Sequence, residues 1–374
     1  MNKVIIASAG AGKSTFVVSE ALKAATSGKR VLITMFTEAC RDEINAKIIK
    51  ENGCVPPNLY VITWFSFLIK HWIKPYQGVL FDFDVKGMLL CNTKSGIKPY
   101  KVAGRPVYWG EIDFRQYYFS SDYKLYSDKM AKLSLRCNEQ SSGKVISRLA
   151  SCFDEIYVDE VQDLAGYDLE ILQTLFRSPI KITLVGDPRQ ATYSTVNTEK
   201  NAKYKKAAIV NFFDDKSAGV TVDDKMLNKN FRCFHEINDF ANKLYPAFAP
   251  SASNVREISG HDGVFLVPSE LLSHYLEKYT PVQLRWDKRR KVDERYPVFT
   301  FGTSKGLTFE RVIIYPTEPM LEWIQDNNAA LSNDSRAKLY VGLTRPVKSV
   351  AIVFHGGAAF NSNGIKIYAP EQVP

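Results

Sequence analysis

The sequence predicts an α/β protein built from two parallel-sheet halves, and three observations predict it. Val4-Ile5-Ile6, a glycine-rich turn, a helical repeat over 15–26 and Val31-Leu32-Ile33-Thr34 make a strand–helix–strand unit. The order returns at Ile156-Tyr157-Val158, a helix over 169–176 and Ile182-Thr183-Leu184-Val185. A second α/β region begins near Lys225, and 374 residues exceed one small fold at ~100–200 residues per domain.

The elements follow in order. Phe16, Val17, Ala21 and Leu22 recur at helical spacing, and Gly28 stops that helix. From about 75 to 145 the pattern decays into aromatic-rich, polar sequence (Tyr100, Tyr108, Trp109, Tyr117, Tyr118), which reads as an insertion on the first sheet. In the second half a helix is expected over 236–244 and strands over 264–267, 298–301, 312–315 and 349–353. The expected organisation is a first domain over 1–195 with the insertion, a linker over 196–224 and a second domain over 225–374.

Composition excludes several classes. Hydrophobic residues at 45% and charged residues at 24% are globular values, which rules out disordered and fibrous chains. A net charge of +9 suits a polyanionic partner, although a merely soluble basic protein carries the same charge. The six cysteines are scattered without Cys-x-x-Cys pairs, as expected of reduced thiols in a cytoplasmic protein. No run of about 20 apolar residues spans a membrane, and the first apolar run is too short for a signal peptide.

Three stretches carry chemistry. Ala7-Ser8-Ala9-Gly10-Ala11-Gly12-Lys13-Ser14 follows a strand and opens a helix, the context of a phosphate-binding loop. Glycines let backbone N–H groups approach a phosphate, Lys13 reaches the outer phosphates and the Ser14 hydroxyl is placed for Mg²⁺. Asp159 and Glu160 follow the strand at 156–158, where carboxylates of a parallel sheet face the ligand crevice: Asp159 for Mg²⁺, Glu160 to activate water. Gly186 to Tyr193 ends the next strand, with Gln190 as a phosphate sensor and Tyr193 as an aromatic face. A ligand-free turn and a metal-free acidic loop remain the plain alternatives. The stretch Arg285 to Lys291 mixes basic residues with an indole and reads as a solvated loop.

These stretches resemble, in order, the motifs of the UvrD/Rep-type DNA helicases of superfamily 1. Ala7 to Ser14 is similar to motif I, whose family form also begins with Ala. Phe36-Thr37-Glu38-Ala39 is similar to motif Ia, Thr63-Trp64-Phe65-Ser66-Phe67 to the motif after it, Asp159 to Asp163 to motif II and Gly186 to Tyr193 to motif III. Asn230-Phe231-Arg232 resembles motif IV, Thr303 to Phe309 motif V and Tyr340 to Arg345 motif VI.

The resemblance implies two RecA-like P-loop NTPase domains and an ATP- and Mg²⁺-dependent motor on single-stranded DNA, with ATP in the cleft between the domains. Lys13, Asp159, Glu160, Gln190, Arg232 and Arg345 would be catalytic, the two arginines as arginine fingers. Ala9, Gly10, Ala11, Gly12, Lys13, Ser14 and Thr15 would bind the nucleotide, and Ser14 and Asp159 the metal. Phe36, Thr37, Thr63, Trp64, Phe65, Tyr193, Ser304 and Lys305 would meet the strand, by stacking and backbone contacts rather than base readout.

The chain departs from the family in three places. No Gln motif for adenine precedes motif I, so GTP stays open beside ATP. Only 73 positions separate Arg232 from Lys305 (305 − 232), which implies a compact form without the family's large insertion between motifs IV and V. Gly302 and Thr308 stand where the family has His and Glu. The implied movement is 3′ to 5′, and RNA stays open as a substitute strand. The alternative is a nucleotide-gated regulatory subunit of a nuclease or phage-defence complex, with a nuclease or other protein as partner.

Overall fold

The computed structural model describes residues 2–193, 195, 199–214, 220–256, 259–356 and 360–370. The chain divides into two compact units: Met1–Ile5, Lys13–Pro188 and Tyr193–Asp223 form the first, and Ile6–Gly12, Arg189–Thr192 and Asp224–Pro374 the second.

Six strands form the first sheet: β1 (Lys3–Ile6), β2 (Val31–Met35), β3 (Leu59–Thr63), β4 (Glu155–Val158), β5 (Lys181–Gly186) and β6 (Thr221–Asp223). Their order is β6-β1-β5-β4-β2-β3, and β1 with β6, β2 with β3 and β4, and β4 with β5 pair in parallel. Every residue of β2 and β4 is buried, because helices cover both faces of a parallel sheet and its strands read as unbroken apolar runs. Helix α1 (Lys13–Thr26) follows β1, and α2 (Glu38–Asn52) follows β2. The hydroxyl oxygen of Thr37 accepts the Cys40 N–H at 3.2 Å to start α2. Since the strands run the same way, the segments after β1, β2, β3, β4 and β5 leave from one edge of the sheet.

The segment read as an insertion holds an antiparallel hairpin, Ile97–Val102 with Arg105–Tyr108. It ends in α3 (Ser127–Gln140), followed by α4 (Lys144–Cys152). Met130, Leu133 and Cys137 of α3 are buried, so this part belongs to the core of the unit. Helix α5 (Tyr167–Phe176) joins β4 to β5. The region read as a linker is only partly connection: 196–198 and 215–219 lie outside the described residues, and Thr221–Asp223 supplies an edge strand of the first sheet. Three residues are too few to show strand periodicity in the sequence.

The second sheet is again six-stranded and parallel: β7 (Gly263–Pro268), β8 (Val282–Arg285), β9 (Val298–Thr300), β10 (Phe309–Ile314), β11 (Pro346–Phe354) and β12 (Lys366–Ile367), in the order β9-β8-β10-β11-β7-β12. Its helices are α6 (His235–Asn242), α7 (Leu272–Tyr279), α8 (Glu318–Gln325) and α9 (Asn333–Leu343). Tyr275 and Leu276 of α7 close a core with Val267, Ile313 and Val353. The expected α/β class is therefore present, as two parallel six-stranded sheets flanked by helices in the manner of two RecA-like domains. None of the six cysteines lies in a disulfide. Among the described residues no helix is long and apolar enough to cross a membrane.

Candidate functional site

In the first unit, Lys13, Ser14 and Thr15 form the first turn of α1, where backbone N–H groups lack partners within the helix and no acidic side chain offsets the positive helix end. Asp159 directly follows β4. Its N–H donates to Thr34 O at 2.9 Å, its carboxylate Oδ1 accepts the Glu160 N–H at 2.9 Å, and the residue is 3% exposed. Burial first, and then the charge of Glu160, pushes its carboxyl up to about 7, while the Lys13 ammonium draws it down. Lys13 and Asp159 are thus electrostatic neighbours.

Glu160 stands in the left-handed region at φ 56°, a conformation that costs a non-glycine residue of order 1–3 kcal/mol and collects at functional sites. The Gln162 amide donates to its carboxylate, and Gln162 Oε1 accepts the Asp187 N–H at 3.1 Å. The ends of β4 and β5 are therefore joined through one glutamine, Gln162, which no expectation from the sequence includes.

These residues fit a Mg²⁺ ion. The donors are hard oxygens, a hydroxyl at a helix start and a buried carboxylate. Among the described residues no group of three or more His, Cys, Asp or Glu could hold a metal ion.

In the second unit the glycine-rich loop is tied down by backbone and side chain. Ser8 N–H donates to Leu227 O at 2.8 Å, and Phe231 N–H donates to Gly10 O at 3.0 Å. The buried Arg189 donates through Nη2 to Ala7 O at 2.9 Å. Gly10 and Gly12 sit at φ 69° and 79°, left-handed angles that only glycine takes without strain; Ala9 and Ala11 are buried between and beside them. Arg345 is 1% exposed and donates to Val341 O, Leu307 O and, at 2.9 Å, to Gln190 Oε1. Arg232 is half-buried and donates to Thr344 O at 3.1 Å. The structure thus brings Gln190 and Arg345 together, with Arg232 beside the residue that precedes Arg345.

The residues expected to meet a strand divide. Tyr193 is 37% exposed and keeps an accessible ring. Phe36 is half-buried and meets the buried Phe65 edge-on at 5.6 Å. Thr37 and Thr63 cap helices, and Lys305 is half-buried. Two expectations need correction. Trp64 has no exposed surface, and its indole N–H donates to the buried Asp168 at 2.7 Å; an indole already holding a buried carboxylate offers no face to a base. Ser304 is fully buried, and its hydroxyl donates to Phe301 O at 2.9 Å, so it has nothing to give a strand.

One aromatic was missed. Phe231 is 66% exposed, with the Lys229 ammonium 5.4 Å from its ring centre, beside the Gly10 carbonyl that its own N–H holds. Its signal in the sequence is its place between Asn230 and Arg232.

The parallel sheets and the glycine-rich loop opening α1 define the class, an α/β protein of two RecA-like halves. Residues 112–205 match the model of the UvrD/REP helicase N-terminal domain; Asp159, Glu160, Gln190 and Tyr193 fall within the match, and the 7–14 loop outside it. Among solved structures, the chain is similar to Arterivirus nonstructural protein 10 (helicase) in complex with DNA, at 13% identity and a TM-score of 0.44, over 97% of this chain and 62% of that one. No curated protein sequence matches.

Proposed function

We propose that the chain is an ATP-dependent single-stranded-DNA translocase or helicase that moves 3′ to 5′, with 1–195 and 225–374 as its motor halves in a compact form of the UvrD/Rep type. The observation that carries the reading is the grouping of Lys13 with a buried Asp159 and a backbone-strained Glu160 at the carboxyl edge of one parallel sheet. The match of 112–205 to the UvrD/REP helicase N-terminal domain supports it from outside that loop.

Chemically, Lys13 and the first turn of α1 bind the outer phosphates of ATP. Ser14 and Asp159 would hold Mg²⁺, which when bound neutralises charge on the phosphates. Glu160 takes the proton of the attacking water, and the Gln162 amide holds its carboxylate in place. Arg232 and Arg345 are the cations available for charge developing on the terminal phosphate, with Gln190 orienting Arg345. The exposed ring of Phe231 offers a stacking face to the base. Tyr193, Phe36, Thr37, Thr63, Phe65 and Lys305 remain the strand-side residues; the buried Trp64 and Ser304 do not join them.

The burial of Trp64 and Ser304 favours a second reading, in which the same nucleotide cycle gates a nuclease or defence partner without displacement along DNA. Streptavidin displacement separates the two. A motor ejects streptavidin from one end of a biotinylated oligonucleotide while turning over ATP; turnover without displacement at either end leaves the regulatory reading.

A further inference from the structure

We infer that the cavity beside the 97–108 hairpin binds one nucleotide unit of a single nucleic-acid strand, a site additional to the strand contacts above and resting on the same strand-dependent reading. The cavity has a volume of about 310 Å³, at the small end of the range for ligand sites, ~300–1,000 Å³. Lys94, Lys129 and Lys132 line it together with Tyr117 and Tyr167.

Part of this charge is met within the chain, and part is left over. Asp128 is committed to the chain, accepting Ser95 N–H at 3.1 Å and Ser95 Oγ–H at 2.5 Å. Lys129 is 9% exposed at its side chain and reaches Asp128 only at 3.5 Å, with its ammonium 4.6 Å from the Tyr117 ring centre. A buried ammonium so loosely paired is costly alone and is stabilised by an incoming anion. Glu199 is the remaining acid of the wall, and Lys132 is already paired with Glu111 behind it, so Lys94 and the loosely held Lys129 are the ammonium groups left to meet an anion.

The lysines and rings occur together. Lys132 lies 5.3 Å from the Tyr117 centre and 5.6 Å from that of Tyr167. Lys94, at the cavity wall, sits 4.3 Å over Tyr108 at the end of the hairpin, and Lys98 sits 4.6 Å over Trp109. Tyr100 of the same hairpin is 52% exposed. The surface thus continues from the cavity along the hairpin as paired ammonium groups and aromatic rings, the chemistry that takes phosphates and bases without reading sequence. The occupant is a single strand, because stacking on side-chain rings needs bases that are not already stacked in a duplex.

The test is fluorescence anisotropy of a labelled oligothymidine in a salt titration of the full chain. Loss of each phosphate contact lowers the slope of log affinity against log salt by about 0.7. Lys94→Gln is expected to lower it by that amount, and Lys94→Gln with Lys129→Gln by about 1.4, with strand-free ATP hydrolysis unchanged. Lys94 is exposed, so its single variant keeps the test valid where the double variant loses stability. An unchanged slope in a chain that still binds the oligonucleotide overturns this inference alone. Equal binding of a duplex, with the same loss in the variants, overturns the single-strand assignment, and displacement by excess inorganic phosphate reassigns the cavity to free anions. A wild-type chain that binds no strand sinks the motor reading as well.

Discussion

Replacing Gly10 and Gly12 one at a time by alanine separates backbone strain from steric fit in the phosphate loop. Both glycines are left-handed, at φ 69° and 79°, so either alanine costs about 1 kcal/mol in backbone conformation. They differ in surroundings. A methyl on Gly12 meets nothing within 4 Å, whereas one on Gly10 lies 2.9 Å from Arg232 Cβ and closer still to Asn230 Oδ1. Asn230 cannot move aside cheaply: its Oδ1 accepts the N–H groups of Arg232 and Cys233 at 2.8 and 3.1 Å, and its Nδ2 donates to Asn238 at 3.1 Å. Overpacking of this kind adds roughly 1–3 kcal/mol. Gly12→Ala is therefore expected to lose about 1 kcal/mol and Gly10→Ala about 2–4 kcal/mol, read from the urea midpoints of the two variants. Gly10→Ala also displaces the loop that Phe231 and Arg189 hold, and raises the KM for ATP more than Gly12→Ala does. Equal losses in the two variants would refute the claim that Asn230 and Arg232 fix the position of the loop.

Trp64→Phe removes the donor to Asp168 and costs about 1–3 kcal/mol of stability with little effect on strand affinity. Tyr193→Ala is expected to do the reverse, weakening strand binding by about 1–3 kcal/mol; thermal melts and anisotropy read the pair. Asp168 has its carboxyl pushed up to about 6, first by burial, with the Thr195 hydroxyl and the Trp64 indole opposing. A folded-state value above the unfolded one means the folded chain holds the proton longer, so this group's contribution to stability is present below about pH 4 and is lost as pH rises through about 6. In Asp168→Asn that part of the decline is absent, which denaturant midpoints across this window would show. Glu160→Gln should lower kcat for ATP by 10²–10⁴-fold while ATP still binds, and retention of full turnover would remove Glu160 as the base.

Most of both sheets was legible because buried parallel strands are short apolar runs: 156–158, 182–185, 264–267 and 349–353 all lie within observed strands. Leu59–Thr63 and Val282–Arg285 were missed, the second because Gln283 is polar yet fully buried, held by Tyr315 and the 293–296 backbone. Helix α3 was hidden for a related reason: Ser127, Lys129 and Ser134 are among its buried residues, so polar side chains interrupt the apolar repeat. Asp159 and Glu160 were readable from their place after a strand. The burial of Trp64 was not, since its partner Asp168 lies 104 positions away in sequence and nothing local distinguishes a stacking ring from a core one. Gln190 and Arg345 were each legible alone, but their hydrogen bond spans 155 positions and required the fold.

Nucleotide hydrolysis by the Lys13, Asp159 and Glu160 group is expected to be coupled to a single strand. Steady-state ATP hydrolysis with Mg²⁺, with and without a single-stranded oligonucleotide, in the wild type and in Lys13→Ala, tests it most directly. The expected result is turnover that the strand stimulates and that Lys13→Ala or removal of Mg²⁺ abolishes. Turnover indifferent to the strand, or surviving Lys13→Ala, would contradict it.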